Sequence, residues 1–411
     1  MKKKLSLNTW YCRGFQKIMK VGMNCVPWGT PKTMTGPGAV RKLPAAIKRR
    51  RLKRPLIVTG PTALQSHRLD GLLEAMKEVQ LEYEIFNEMT ADPTDEHVEA
   101  GVSVYRRKQC DCIIAFGGGS PMDCAKAMAA RIARPSKTIR ELQGLFKVLR
   151  PVPVIFAVPT TSGTGSETTI AAVITEAQTH HKVPINDLCL MPKYAVLDPE
   201  LTVGMPPRVT AESGMDALSH AVEAYINHTY NTKTGDEMCR KAVKLIYENL
   251  FQAYQDGGNL KVRQNMQKAA FYAGRAFTRG CVGYVHAIGH TLGGLYGVTH
   301  GQAMGILLPH VLRAYGQAAE ERLAELCDVC GLADIDGLDG QVTVKEKAER
   351  FIHWIEEIKC LVGIPVYPDM VNEQDVDQIA QWAVEEANPL YPTPVVWSKK
   401  DVKEFMLGLI E

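Results

Sequence analysis

The texture of this chain changes once, at Met205-Pro206-Pro207, and that change limits the folds open to it. From about residue 35 to residue 200, short apolar runs rich in Ile and Val alternate with polar stretches of helical period. The runs are Leu56–Val58, Cys112–Phe116, Val154–Val158 and Ala195–Leu197; the stretches include Leu69–Glu78 and Asp95–Lys108. Such alternation predicts βαβ units around a parallel sheet. After residue 205 the apolar spacing is three and four throughout. It predicts amphipathic helices over Val209–Asn227, Thr234–Ala253, Asn259–Phe277, Gly301–Tyr315 and Val344–Ile358. A chain of 411 residues exceeds what one compact core holds, so two domains are expected.

Charge is uneven along the chain. The first acidic residue is Asp70, and sixteen Lys and Arg precede it, leaving 32 basic against 45 acidic side chains, −13, from there on. The basic segment reads as a solvated helix face with a short extension rather than a targeting signal. No apolar stretch follows Lys2-Lys3-Lys4 as a secretory signal requires. The run Lys48–Arg54 precedes the strand Leu56–Val58, so it sits at a strand's amino end. Ligands of open α/β sheets bind at carboxyl ends, which argues against a phosphate site there. No stretch is long and apolar enough to span a bilayer, and neither a membrane nor a nucleic-acid partner is expected. The eleven cysteines form no paired framework, and Cys327 and Cys330 lack a second pair at zinc spacing. Reduced thiols in a cytoplasmic setting are expected.

Two loops carry anion chemistry. The strand ending at Phe116 runs into Gly117-Gly118-Gly119-Ser120-Pro121-Met122-Asp123 and then a helix. Glycines let backbone N–H groups approach an anion closely. Ser120 suits the N-cap, Pro121 the first helical position and Asp123 the first turn. A helix start with its dipole favours a pyrophosphate. The second loop, Thr160-Thr161-Ser162-Gly163-Thr164-Gly165-Ser166, follows the strand Val154–Val158 and offers five hydroxyls. Two such loops in one sheet suggest a dinucleotide.

A third constellation carries metal chemistry. Asp216 and His220 lie four apart on one helix face. His286, His290 and His300 follow among Ala, Gly and Leu. Carboxylate and imidazole donors without thiolate suit Fe²⁺, Zn²⁺, Co²⁺ or Ni²⁺. Spacing alone pairs His286 with His290, which also lie four apart, and the sequence leaves open which of the three later histidines is not a ligand.

At these residues the chain resembles the iron-containing (group III) alcohol dehydrogenase family. The likeness runs from about Met34 to the C-terminus. It takes in Gly36-Pro37-Gly38-Ala39-Val40, Gly117–Lys126, Pro159–Thr168, Asp198-Pro199-Glu200-Leu201, Gly214–Tyr225, His286–His300 and Ala387-Asn388-Pro389. The resemblance implies the two-domain architecture of dehydroquinate-synthase-like proteins. An N-terminal extension would cover 1–33, a Rossmann-like α/β dinucleotide-binding domain 34–203 and an all-helical metal-binding domain 204–411. It implies Asp216, His220, His286 and His300 as metal ligands, and His290 as a non-ligand histidine near the nicotinamide, suited to relay a proton. Cofactor contacts would fall on Gly117, Gly118, Gly119, Ser120, Asp123, Thr160, Thr161, Ser162, Thr164, Lys182, Leu201 and Thr202.

The implied activity is reversible hydride transfer between an alcohol and its aldehyde or ketone, with NAD or NADP as partner and Fe²⁺, or Zn²⁺, as Lewis acid on the alcohol oxygen. A homodimer or larger homo-oligomer is implied too. Two positions depart from the family pattern. Gly60 stands where many members carry an acid facing the ribose 2′-hydroxyl, so NADP should be tolerated alongside NAD. Asp92 stands where Asn is frequent. Related readings are a glycerol dehydrogenase or a dehydroquinate-synthase-like lyase, against which the four-residue ligand set argues; a maleylacetate reductase, which stays open; and a non-catalytic binding protein, against which the two intact loops and the ligand set argue.

Overall fold

The computed structural model describes residues 7–90, 92–178, 182–227, 229–334 and 342–410; the Lys2-Lys3-Lys4 run lies outside them. The chain divides into two compact units. One, the sheet unit, comprises Trp28–Met205 with Gly258–Gln267; the other, the helical unit, comprises the segment through Pro27, Pro206–Gly257 and everything from Lys268.

Among its described residues the sheet unit holds nine strands: β1 (Lys32–Thr35), β2 (Pro55–Val58), β3 (Glu84–Phe86), β4 (Cys112–Gly117), β5 (Gly144–Leu145), β6 (Val154–Pro159), β7 (Ala171–Thr175), β8 (Lys182–Asn186) and β9 (Tyr194–Leu197). Its helices are α2 (Leu43–Arg49), α3 (Pro61–Gln65), α4 (Asp70–Glu78), α5 (Asp95–Arg107) and α6 (Gly119–Ala133). Six strands form one parallel sheet in the order β1-β9-β6-β4-β2-β3. The alternation of Ile/Val runs with helices predicts this, because parallel strands need crossover connections. Every residue of β2 and β4 is buried, as a sheet covered on both faces requires. One apolar cluster lies on each face: Val102, Met128 and Ile155 mark one, and Leu43, Phe116 and Val196 the other. A small second sheet, β5-β8-β7, carries an antiparallel β7–β8 pair.

The strand order brings β4 beside β6, with Gly117 opposite Pro159. The Gly loop and the hydroxyl loop therefore leave adjacent strands at the same end of the sheet. Asp198 secures the neighbouring edge: its carboxylate accepts from the backbone N–H groups of Gly38 (3.2 Å), Val40 (3.0 Å) and Glu200 (3.2 Å). The Gly36–Val40 and Asp198–Leu201 motifs are thus held together by one carboxylate.

The helical unit contains α1 (Leu7–Cys25), α7 (Pro207–Ile226), α8 (Lys233–Gln255), most of α9 (Leu260–Gly280), α10 (Tyr284–Tyr296), α11 (His300–Tyr315), α12 (Gln317–Cys330), α13 (Val344–Leu361), α14 (Val376–Ala387) and α15 (Lys399–Ile410). The basic N-terminal segment supplies α1. Arg13 donates to the carbonyls of Thr393 (2.8 Å) and Pro394 (2.9 Å), and Gln16 to those of Pro389 (3.1 Å) and Tyr391 (2.9 Å). Leu7, Trp10, Tyr11, Ile18 and Val21 face outward from it. α7 is buried on nearly all sides from Gly214 to Ile226, which fits a central helix carrying Ala, Leu and Val between its polar residues. No helix among the described residues is long and apolar enough to cross a membrane.

Candidate metal centre and anion loops

Asp216 and His220 sit one turn apart on α7, on the same face, and both are buried. His286 lies in the first turn of α10. That helix ends at Gly297, which takes a left-handed conformation (φ 66°) that favours glycine. The chain then turns, and α11 begins at His300. Gly301 lets the start of α11 approach α7, because a Cβ there would stand 2.2 Å from the Glu212 carbonyl oxygen. Three helix segments thereby converge on one point. One donor atom from each of Asp216, His220, His286 and His300 lies within 4.8 Å of the others. Asp216 Oδ1 is 3.5 Å from His220 Nδ1, 3.8 Å from His286 Nε2 and 3.2 Å from His300 Nε2.

These spacings suit a cation. Donors about 2 Å from a tetrahedral ion stand roughly 3.3 Å from one another. Asp216 Oδ1, His220 Nδ1 and His286 Nε2 are buried without a hydrogen-bond partner. Leaving such atoms unsatisfied costs about 1–3 kcal/mol each, and a shared cation removes that cost.

The electrostatics agree. Burial alone would raise the Asp216 carboxyl, but His220, His300 and His286 outweigh it and hold the group well below the carboxylate range. Burial pushes His220 down to about 3 against the pull of Asp216. Burial and His300 likewise hold His286 far below the usual imidazole range. Asp216 is therefore ionised and His220 and His286 are unprotonated, the form that binds metals. Phe277 stacks on His220 at 4.0 Å between centroids and fixes its ring plane.

His290 stands outside this group. Its Nδ1 faces Glu386 Oε1 at 2.7 Å, and Tyr391 donates to the same oxygen at 3.0 Å. Its ring lies nearly parallel to that of His300, 5.1 Å away. Spacing alone pairs His286 with His290; the packing of α14 gives His290 a carboxylate instead.

In the sheet unit, α6 begins at Gly119 with Gly118 as N-cap, so Ser120 lies inside the helix rather than capping it. A glycine cap offers no side-chain acceptor, leaving the helix start open to an external anion. Gly117 has φ 147°, and its missing Cβ leaves room for Pro121 Cγ, which would stand 2.6 Å away. The two loops pack together. Cβ atoms built on Gly118 and Gly119 would meet Thr161 Cγ2 at 3.3 Å and Thr164 Cγ2 at 3.0 Å. Thr160 N–H donates to the Gly117 carbonyl at 3.0 Å. Ser162 Oγ is buried without a partner.

Asp123 accepts from Ser166 Oγ and Val173 N–H, each at 3.1 Å, so its carboxylate ties helix to loop. Lys182 and Asp92, one on β8 and one before α5, form an ion pair at 3.5 Å. Gly60 caps α3 just past β2, and a side chain there would meet nothing within 4 Å. Leu201 and Thr202 lie in a buried 3₁₀ turn, where Thr202 Oγ1 donates to the Pro199 carbonyl at 2.8 Å.

Known proteins share this architecture and sequence. The pattern of the iron-containing alcohol dehydrogenase family matches residues 30–199, and that of its C-terminal family matches residues 210–408. The chain belongs to the iron-containing alcohol dehydrogenase family.

It is 39% identical to a 1,3-propanediol dehydrogenase of Klebsiella pneumoniae over 82% of this chain and 86% of that one. It is 36% identical to an NAD-dependent methanol dehydrogenase of Bacillus methanolicus over 87% and 92% of the two chains. A solved structure of a 1,3-propanediol oxidoreductase superposes with a TM-score of 0.88 at 33% identity, over 93% of this chain and 99% of that one. The protein is therefore an oxidoreductase with metal-dependent alcohol dehydrogenase activity.

Three groups of this alcohol dehydrogenase escaped the sequence reading. Glu223 and Glu386 each engage a site histidine, yet helical spacing from Asp216 and His220 could have pointed to Glu223. Lys126 is wholly buried. Its Nζ donates to Ser166 O, Ser166 Oγ, Thr169 Oγ1 and Ala171 O at 2.7 to 2.9 Å. Burial lowers it to about 8, with Asp123 and Glu167 resisting. A lysine in a helix of period 3.6 gives no sequence sign that it points inward.

Proposed function

We propose that this protein interconverts a short-chain primary alcohol or diol with its aldehyde, using NAD or NADP and a divalent ion held by Asp216, His220, His286 and His300. The observation that carries the reading is the convergence of four donor atoms within 4.8 Å, three of them buried without a partner. An ion held there would supply Lewis acidity toward an alcohol oxygen, and a bound nicotinamide would accept or return the hydride.

The chain's own residues do the rest. The N–H groups at the start of α6 and the glycines 117–119 cradle the pyrophosphate, with Ser120 beside them. Thr160, Thr161, Ser162 and Thr164 offer hydroxyls along the cofactor. Lys182 with Asp92, and the turn at Leu201 and Thr202, border it; Asp123 acts indirectly, by holding the hydroxyl loop. His290 moves a proton at Nε2, since Nδ1 is committed to Glu386. Gly60 carries no acid to repel a 2′-phosphate, which supports use of NADP.

The substrate class rests on relatives named for propanediol and methanol. All eleven cysteines are free, which supports a reducing, cytoplasmic setting. A homodimer or larger assembly follows from the family resemblance; light scattering on the eluted protein tests it. The deciding assay is oxidation of NADH and NADPH with a panel of aldehydes, before and after chelation. Turnover that needs Fe²⁺ or Zn²⁺ is expected; undiminished turnover after thorough metal removal would overturn the reading.

A further inference from the structure

Glu223 is the third member of the α7 face that carries Asp216 and His220, lying at four-plus-three spacing from Asp216. It is wholly buried. Its Oε2 stands 2.5 Å from His286 Nδ1, and its Oε1 accepts from the Val285 N–H at 2.8 Å. Room for the carboxylate comes from Gly283, where a Cβ would lie 2.7 Å from Oε1.

We propose that Glu223 is a positioning residue for the metal site: it fixes the ring and tautomer of His286, so that Nε2 presents its lone pair toward Asp216. The inference rests on the metal reading above. An ionised carboxylate can only accept, so with Glu223 ionised, the form that the Val285 N–H bond favours, the imidazole proton sits on Nδ1. Nε2 is then left unprotonated, 3.8 Å from Asp216 Oδ1 and buried with no other partner. With the proton on Nε2 instead, the ring could not donate its lone pair to an ion. The bond to Val285 N–H acts at the same point in a second way. It holds the first turn of α10 against α7, so ring orientation and helix position share one anchor. Carboxylates that hold a ligand histidine in this manner affect metal affinity by about 10–100-fold.

The site's other carboxylate partner gives a contrast. Glu386 also holds a histidine by Nδ1, but its histidine is His290, which lies outside the four-donor cluster. Removing the two carboxylates should therefore have different consequences. Loss of Glu223 acts on metal binding, and loss of Glu386 leaves that binding nearly unchanged.

The test is Zn²⁺ affinity of the full-length chain, stripped of metal and titrated in competition with a chromogenic chelator. Glu223→Gln keeps the volume but leaves one acceptor oxygen for two donors, His286 Nδ1 and the Val285 N–H. Binding 10–100-fold weaker than wild type is expected, with Glu386→Gln within about threefold. A folded Glu223→Gln chain, by circular dichroism, with wild-type affinity would overturn the proposal while leaving the metal site standing. Absence of Zn²⁺ binding by the wild type would overturn both. Should Glu223→Gln fail to fold, nitrogen-15 spectra of histidine-labelled, metal-free wild type decide the matter, with His286→Asn to assign the resonance. A proton on Nδ1 of His286 is expected; a proton on Nε2 would overturn the proposal.

Discussion

The two candidate regions would bind by opposite means. The Gly117–Asp123 loop offers an anion mainly backbone: a glycine-capped helix start, with side chains kept away so that N–H groups can approach. The Asp216 cluster offers a cation only side chains, projected from three helices. The first region should therefore tolerate exchange of its polar side chains but not an added Cβ. The second should tolerate neither a lost donor nor a moved helix.

The largest expected break falls on the cation side. Asp216→Ala removes the one carboxylate of the cluster. A Lewis acid contributes several kcal/mol, and about 1.4 kcal/mol is tenfold in rate. A fall of roughly 10³-fold in kcat/KM is expected, with loss of bound metal and an unchanged circular dichroism spectrum. Wild-type turnover in that variant would sink the comparison.

On the anion side, Gly117→Ala places a Cβ 2.6 Å from Pro121 Cγ at φ 147°. A destabilisation of about 1–3 kcal/mol is expected, read from the denaturant midpoint, together with a raised KM for the dinucleotide. Ser120→Ala in the same loop should change the midpoint far less. Equal effects would show that side chains, not backbone, make the site.

A smaller effect tests the buried charges behind the hydroxyl loop. Burial raises the Glu167 carboxyl to about 7 from the usual 4.5. A raised folded-state value means that its stabilising share is full below about pH 4.5 and is lost as pH rises through 7. Glu167→Gln should therefore lose less stability than wild type between pH 5 and pH 8, by about 1–2 kcal/mol. Parallel pH profiles of the two proteins would contradict this.

The smallest effect expected is on cofactor choice. Gly60→Asp introduces a carboxylate into open space at the end of β2. Its repulsion of a 2′-phosphate near the surface should cost about 1 kcal/mol, shifting the NADP to NAD ratio of kcat/KM about fivefold toward NAD. No shift would mean that the ribose lies elsewhere.

Much of the fold was legible in one dimension. Strands β2, β4, β6 and β9 and helices α7, α8, α9, α11 and α13 lie within a few residues of their sequence positions, because apolar period 2 or 3.6 is a local property. The start of α6 was less legible. Ser120 has the chemistry of a cap, but the helix begins a residue before it, since glycines 118 and 119 adopt the required backbone without a side-chain acceptor. Two cofactor positions implied by the family, Asp92 and Lys182, turn out to pair with each other across ninety residues, which no local rule could show.

Sequence by itself determined the parallel sheet, the all-helical half and the residues able to hold an anion or a cation. It determined these because periodicity, glycine runs and donor chemistry are written locally. Only the tertiary structure decided which donors meet. His290 matches His286 in type and spacing, but packing gives it Glu386, whereas packing gives His286 the buried Glu223 and brings His300 to Asp216. The physical reason is that a histidine's task is set by what lies at its other nitrogen, and that neighbour comes from a helix distant in sequence.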